Sequence, residues 1–154
     1  MNRETKLINI LKNKKLTIAT AESITAGYLS YLLTKTPGAS EIFKGGVIVY
    51  SLESKNNLFK IPLSTLKKTK GISPEIVIIL ARKIRDMFAS DIGISIVGFA
   101  GPGARKGVKP GTVFIGIAYS GRNLSQKLLF DGNRGVVRKK ASLHALDMLS
   151  RLIR

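Results

Sequence analysis

The stretch Leu16–Gly27, LTIATAESITAG, contains the change of pattern that decides the kind of fold. Leu16–Thr20 is apolar and rich in β-branched residues, which is typical of a buried strand, whereas Ile24–Thr34 carries apolar residues at helical spacing. Pro37-Gly38 then marks a turn. A strand that leads into a helix is the repeating unit of α/β proteins, so this stretch predicts an α/β fold.

The same alternation continues along the chain. Ser73-Pro74-Glu75 opens the most distinct helix, because serine is a good N-cap and proline suits the first helical position. Its apolar stripe is Ile76, Ile79, Leu80, Ile84, Met87 and Phe88. Other helices are predicted around Leu7, Ile10 and Leu11, at Ser51–Phe59, and along Val137, Ala141, Ala145, Met148, Leu149 and Leu152. Other strands are predicted at Gly46–Tyr50, Ile92–Val97, Thr112–Tyr119 and Leu124–Phe130, the last two joined by a turn. The pattern predicts a layered α/β domain with a mixed sheet.

Length and composition fit one globular domain. A chain of 154 residues has material for one hydrophobic core. No apolar run approaches the ~20 residues that cross a bilayer, and Met1–Lys15 lacks a signal-peptide core, so we expect a cytoplasmic protein without a membrane partner. The absence of Cys excludes disulfide and thiolate chemistry, and a single His argues against a metal site.

The charge balance is strongly basic, with 26 Lys and Arg against 9 Asp and Glu and a net charge of +17. This fits either an anionic partner, such as nucleic acid or a phosphorylated small molecule, or a solvated lysine-rich surface. The basic residues are scattered and aromatics make up only 6%, which disfavours stacking on nucleic acid. We expect a solvated surface on which one or two side chains bind a phosphate.

Functional sites in α/β sheets lie where the carboxyl ends of strands are followed by loops. At the first such point, Ser23 would lie beside free N–H groups of a helix start, which can stabilise an oxyanion. Alternatively, Ser23 only caps that helix, and spacing alone favours the cap. Glu22 is expected to be a local structural acid.

The second such strand end is followed by Tyr50–Lys55, YSLESK. A lysine whose pKa is lowered by burial can act as the base to a serine, so Lys55 could take the proton of Ser23. Tyr50 could orient either group. The alternative is a surface lysine and a half-buried strand tyrosine, and the segment alone favours it.

The third point is the glycine-rich loop Gly98–Gly107, GFAGPGARKG. Its backbone N–H groups could cradle an anion, although a plain flexible loop is equally consistent with the pattern. Arg134 and Arg138, one helical turn apart, could clamp a phosphate or be solvated helix charges. His144 is expected to be structural.

Together, these segments resemble one family. The order AES-x-T-x-G at 21–27, Y-S-x-x-x-K at 50–55, G-x-A-G-P-G at 98–103, K-P-G-T-V at 109–113 and G-x-R-x-x-x-R at 132–138 resembles the C-terminal domain of the competence/damage-inducible protein A family. Those domains act as nicotinamide mononucleotide deamidases. The resemblance covers about Leu16 to Leu152 and implies a single three-layer α/β/α sandwich domain spanning 1–154. It also implies a homo-oligomer and a serine–lysine amidohydrolase that needs no metal or other cofactor.

The resemblance also implies roles by position. Ser23 would be the nucleophile, Lys55 its base and Tyr50 an active-site helper. Substrate would contact Thr25, the loop residues Gly98, Ala100 and Gly101, and Arg134 or Arg138, with the choice between the two arginines left open.

The sequence departs from the family pattern at three informative positions. Ala26, Leu52 and Val97 stand where the family commonly has Gly, Asn and Thr. The expected activity is conversion of nicotinamide mononucleotide to nicotinic acid mononucleotide and ammonia, a step of pyridine nucleotide recycling. The alternatives are a catalytically weakened nucleotide-binding or regulatory module, which Leu52 and Val97 motivate, and a basic nucleic-acid-binding accessory protein.

Overall fold

A computed structural model describes residues 1–103 and 105–154. The strands of this described part form one open sheet in the order β2-β1-β3-β4-β5. They are β1 (Ile18–Glu22), β2 (Phe43–Ile48), β3 (Ile92–Phe99), β4 (Thr112–Tyr119) and β5 (Arg122–Leu129). The α-helices are α1 (Arg3–Lys14), α2 (Tyr28–Thr34), α3 (Leu52–Phe59), α4 (Leu63–Thr69), α5 (Pro74–Met87) and α6 (Arg134–Leu152), with a short 3₁₀ helix at Ala39–Glu41.

The sheet is mixed. β1 lies between β2 and β3 and pairs with both in parallel, while β4 is antiparallel to β3 and to β5. The β4–β5 hairpin turns through Ser120 and Gly121, whose φ angles of 50° and 73° are those of the two-residue turns that match strand twist. The predicted α/β fold with a mixed sheet is confirmed.

Helices cover both faces of the sheet. Buried side chains of α1, α2 and α6 pack on one face, around Ile94 and Ile115, and those of α3, α4 and α5 pack on the other, around Ala21 and Val97. The architecture is therefore three layers, α/β/α, around two apolar cores. No helix within the described residues is both long and apolar enough to span a membrane.

Small residues let α5 lie close to the sheet. A Cβ on Gly93 would collide with the carbonyl oxygen of Ala81, and one on Gly116 would collide with that of Val77. Ser95 donates a hydrogen bond to the same Val77 carbonyl. The helix begins as predicted, with the Ser73 hydroxyl accepting from the Ile76 N–H at 3.1 Å.

Two boundaries differ from the sequence prediction in ways that affect the site. The strand predicted at Leu16–Thr20 runs from Ile18 to Glu22, so it ends directly before Ser23. The helix predicted from Ile24 begins only at Tyr28, after a turn. Helix α4 was not predicted, because only Leu66 of its seven residues is buried and it presents no periodic stripe.

Candidate functional site

The carboxyl ends of three parallel strands meet around Ser23. The Ser23 N–H donates to the Ile96 carbonyl of β3 at 3.0 Å, and the Val49 N–H, just after β2, donates to the Glu22 carbonyl at 2.8 Å. A cavity of about 740 Å³ opens at this edge of the sheet, with Ser23 and Lys55 in its wall. Sites in open α/β sheets occur at this edge.

Ser23 and Lys55 form a buried pair. The Ser51 hydroxyl caps α3 by accepting from the Ser54 N–H at 3.0 Å, which starts the helix immediately after β2. Lys55, in the first turn of α3, then directs its side chain inward, and its Nζ lies 3.1 Å from Ser23 Oγ. Lys55 is 3% exposed and Ser23 is 7% exposed, so both groups are largely removed from water.

Burial and, to a smaller extent, the positive charge of Arg105 together lower the pKa of Lys55 to about 8. The Lys55 ammonium or amine also donates to the Val49 carbonyl at 2.8 Å, and the Tyr50 carbonyl lies 3.4 Å away. A neutral amine has two N–H bonds and one lone pair. With its two hydrogens directed at these carbonyls, its lone pair is free to accept the Ser23 proton.

A close backbone approach explains why Lys55 is buried. Gly71, in the connection between α4 and α5, has φ of 67°. A Cβ there would lie 2.9 Å from Leu52 Cδ2 and 3.6 Å from the Lys55 side-chain methylenes. The Gly71 backbone therefore covers the lysine stem, and a larger residue would open this contact.

The expectation that Ser23 lies at the start of a helix is wrong. Glu22, which is 1% exposed, accepts hydrogen bonds from the N–H groups of Gly27, Leu29 and Ser30 and from the Ser30 hydroxyl. These donors are the free N-terminal groups of α2, so they are occupied by Glu22 and not available to an oxyanion. Ser23 is equally not the cap of α2, a position that Gly27 holds.

The turn that follows Ser23 offers other donors. Ala26 and Gly27 adopt left-handed φ angles of 49° and 98°, which turn the chain before α2 begins. Among the described residues, the backbone N–H groups of Ile24 and Thr25 donate to no acceptor. Of these two residues only Ile24 lines the cavity, so its amide is the one placed to meet an anionic oxygen.

Thr25 stabilises this turn and does not line the cavity. Its side chain is 1% exposed, and its hydroxyl donates to Glu22 Oε1 at 2.6 Å. That hydroxyl is therefore committed to the buried carboxylate. The contact with substrate that the family resemblance implies for Thr25 stays a prediction that its geometry does not favour.

The two candidate arginines have different surroundings. Arg134, at the start of α6, lines the cavity and donates to the Gly101 carbonyl at 2.5 Å and to the Tyr50 hydroxyl at 2.9 Å. Arg138 donates to the Ile24 carbonyl at 3.0 Å and does not line the cavity. Of these two arginines, Arg134 therefore belongs to the cavity wall, and Arg138 supports the turn after Ser23.

The glycine-rich loop forms another wall. Gly98, Phe99 and Ala100 line the cavity, whereas Gly101 is buried and contributes its carbonyl to Arg134. The Arg105 guanidinium lies over the Phe99 ring, 5.7 Å from its centroid. Ala104, which belongs to the same predicted loop, lies outside the described residues.

Sequence reasoning missed the wall that the α4–α5 connection provides. Lys70, Gly71 and Ile72 line the cavity there, and no local motif marked them. Leu52, one of the three departures from the family pattern, also lines the cavity. Val97 does not: it is fully buried in the core beneath α5.

The described residues contain no group of three or more His, Cys, Asp or Glu side chains that could hold a metal ion. His144 lies on α6, where its Nε2 is 3.0 Å from Gln126 Oε1 and its ring packs against Phe130. This is the structural environment expected for it.

Comparison with known proteins gives a consistent result. The model of the CinA C-terminal domain family matches residues 2–153. A putative competence-damage inducible protein of Caldanaerobacter subterraneus subsp. tengcongensis is 38% identical over 148 residues, covering 96% of this chain and 36% of that protein. One from Clostridium botulinum is 41% identical over 146 residues, covering 94% and 36%. The chain therefore spans about a third of the length of the curated relatives it matches.

Two solved structures share the fold over nearly all of this chain and at least 90% of their own. The competence or damage-inducible protein from Enterobacter asburiae superposes with a TM-score of 0.94 at 31% identity, covering 99% of this chain and 96% of that one. The competence-damaged protein (CinA) superfamily protein from Enterobacter cloacae gives 0.94 at 29% identity, covering 99% and 90%.

Proposed function

Since this chain belongs to the CinA C-terminal domain family, we propose that it is an amidohydrolase that converts nicotinamide mononucleotide to nicotinic acid mononucleotide and ammonia. The observation that carries the proposal is the 3.1 Å contact between Ser23 Oγ and Lys55 Nζ inside the cavity. A serine beside a lysine of lowered pKa is a nucleophile with its own base.

The proposed reaction uses Ser23 and Lys55 in both of its steps, the formation of an ester on Ser23 and the hydrolysis of that ester. Neutral Lys55 accepts the Ser23 proton while Ser23 Oγ attacks the carboxamide carbon, and a free amide such as that of Ile24 holds the developing oxyanion. The Lys55 ammonium then gives the proton to the departing nitrogen, which leaves as ammonia. Water attacks the resulting ester on Ser23, with Lys55 again as base, and releases the carboxylic acid and the free serine.

The charge of the cavity supports an anionic substrate. Besides Lys55, its wall carries the basic side chains of Lys70, Arg105 and Arg134, against one acidic side chain, Glu53. A nucleoside monophosphate supplies a phosphate that such a wall attracts. Self-association, which the family resemblance implies, is part of the proposal, and light scattering on the purified protein tests it.

One observation favours a second candidate, a nucleotide-binding module with weakened catalysis. Leu52 places an apolar side chain in the cavity wall, where the family commonly has Asn. The substitution removes a polar group beside the pair without removing Ser23 or Lys55. The two candidates share a ligand and differ in turnover.

The test is ammonia release from nicotinamide mononucleotide at substoichiometric enzyme, with free nicotinamide and glutamine as control substrates. The proposal expects many turnovers with the mononucleotide and little with either control. Binding without turnover would favour the weakened module. Neither binding nor turnover would reject both candidates.

A further inference from the structure

The cavity contains basic side chains with different contacts. Arg134 is engaged, since it donates to the Gly101 carbonyl and the Tyr50 hydroxyl. Within the described part of the chain, Lys70 and Arg105 have no acidic partner within 4.0 Å and donate no side-chain hydrogen bond. Cations in a cavity wall with no partner of their own are available to a ligand.

Lys70 is held at one side of this wall. It ends α4 in a left-handed conformation, with φ of 57°, and its N–H donates to the Lys67 carbonyl at 3.4 Å. The side chain is half-buried, and its Nζ lies 3.6 Å from the position of a Cβ built on Gly107. The ammonium group therefore extends from the α4–α5 connection to the glycine-rich loop.

Arg105 reaches the same place from the loop. Its backbone pairs with Val108, whose N–H donates to the Arg105 carbonyl at 2.9 Å, and Gly107 has a left-handed φ of 77° between them. The guanidinium rests over the Phe99 ring, which restricts it without using its N–H donors. Lys70 and Arg105 thus both border the turn at Gly107 and line the same cavity.

We propose that Lys70 and Arg105 form the subsite for the phosphate of the substrate, at the side of the cavity formed by the glycine-rich loop. The proposal rests on the proposed function, because it takes a nicotinamide mononucleotide as the ligand. A guanidinium and an ammonium on adjoining backbone segments can share one phosphate, the first through paired N–H donors and the second as a compact charge. Arg134, already bonded to two protein acceptors, instead ties Tyr50 to the loop.

The experiment measures binding by calorimetry in a Ser23→Ala background, where the mononucleotide stays intact. Lys70→Met and Arg105→Gln are compared with two matched controls, Lys68→Met on α4 and Lys106→Gln in the loop, neither of which lines the cavity. Each charge-assisted bond contributes about 1.5–3 kcal/mol, so each test variant should raise the Kd for the mononucleotide roughly 10-fold or more. The Kd for nicotinamide riboside, which has no phosphate, should not change.

The outcomes separate the subsite from the proposed function. If Lys70→Met and Arg105→Gln weaken mononucleotide and riboside binding equally, or no more than their controls do, the subsite is overturned. Absence of mononucleotide binding overturns it as well. If binding depends on Lys70 and Arg105 but the protein with Ser23 intact releases no ammonia, the subsite stands and the proposed reaction fails. A preference that moderate salt erases in every variant alike would reflect only the overall charge of +17, and would also overturn it.

Discussion

Two lysines of the cavity wall are held in opposite ways. Lys55 is 3% exposed, with its stem covered by the Gly71 backbone, and burial lowers its pKa to about 8. Lys70 is half-buried and lines the same cavity. A base must be able to lose its proton near neutral pH, whereas a binding cation must keep it. The comparison teaches that burial, and not residue type, divides the two roles.

Among the changes that test this comparison of lysines, the largest expected effect comes from removing the base. Lys55→Met keeps the length and apolar character of the stem, so the fold should survive while Ser23 loses its proton acceptor. General-base catalysis contributes roughly 10²–10⁴-fold, and kcat for the mononucleotide should fall by about that factor. Lys55→Arg should not restore it, because a guanidinium does not deprotonate in proteins.

The matched control for this change is Lys68→Met, which removes an exposed lysine of α4 that does not line the cavity. Its kcat should equal that of the unaltered protein. Near-normal turnover by Lys55→Met protein, verified as folded by its thermal melt, would contradict the role of Lys55 as the base.

The pH dependence should report the same buried amine. Because the neutral form is the base, and its pKa is lowered to about 8, kcat/KM should rise with pH and level off above about 8. On the acidic side the slope should approach about tenfold per pH unit. Arg105→Gln removes the smaller of the two causes and should move the midpoint upward. A flat profile between about pH 6 and pH 9 would be incompatible with Lys55 as the base.

A smaller effect is expected at the rim of the cavity. Tyr50→Phe removes the hydroxyl that accepts from Arg134 at 2.9 Å and leaves the ring in place. A bond of about 1 kcal/mol corresponds to roughly a 5-fold change, which should appear in KM. Tyr31→Phe is the control, since Tyr31 has the same 57% exposure and lies away from the cavity. Equal KM values for the two variants would remove Tyr50 from substrate binding.

The smallest effect on turnover is expected at Val97, where the family commonly has Thr. The Val97 side chain is fully buried in the core and does not line the cavity, so Val97→Thr should leave kcat unchanged. A hydroxyl buried without a partner should instead lower the free energy of unfolding by about 1–3 kcal/mol. Val136→Thr, on the exposed side of α6, should cost far less. A rise in kcat in Val97→Thr would show that this position does reach the site.

Local signals made most of the fold predictable. The Ser73-Pro74 start of α5 and the β-branched strands β3 and β4 were found because capping and strand propensity act within a few residues. The start of α2 was placed too early, because the turn before it depends on the buried Glu22 carboxylate. The sequence does not predict helix α4, because only Leu66 of its residues is buried and no apolar stripe marks it.

The candidate site was predictable in its position but not in its energetics. Ser23 and Lys55 both follow strand ends, and the family resemblance joined them. Nothing in a chain with 26 basic residues distinguishes the one lysine that a distant glycine, Gly71, will cover. Similarly, Arg134 lines the cavity and Arg138 does not, and their spacing in the sequence contains no information on that difference.

The most direct test of the central claim is the turnover of Ser23→Ala with nicotinamide mononucleotide, measured as ammonia release beside calorimetric binding of the same ligand. The proposed mechanism predicts that kcat falls by at least about 10⁴-fold, as when other covalent nucleophiles are removed, while Kd and the thermal melt change little. Near-normal turnover by folded Ser23→Ala protein would contradict Ser23 as the nucleophile.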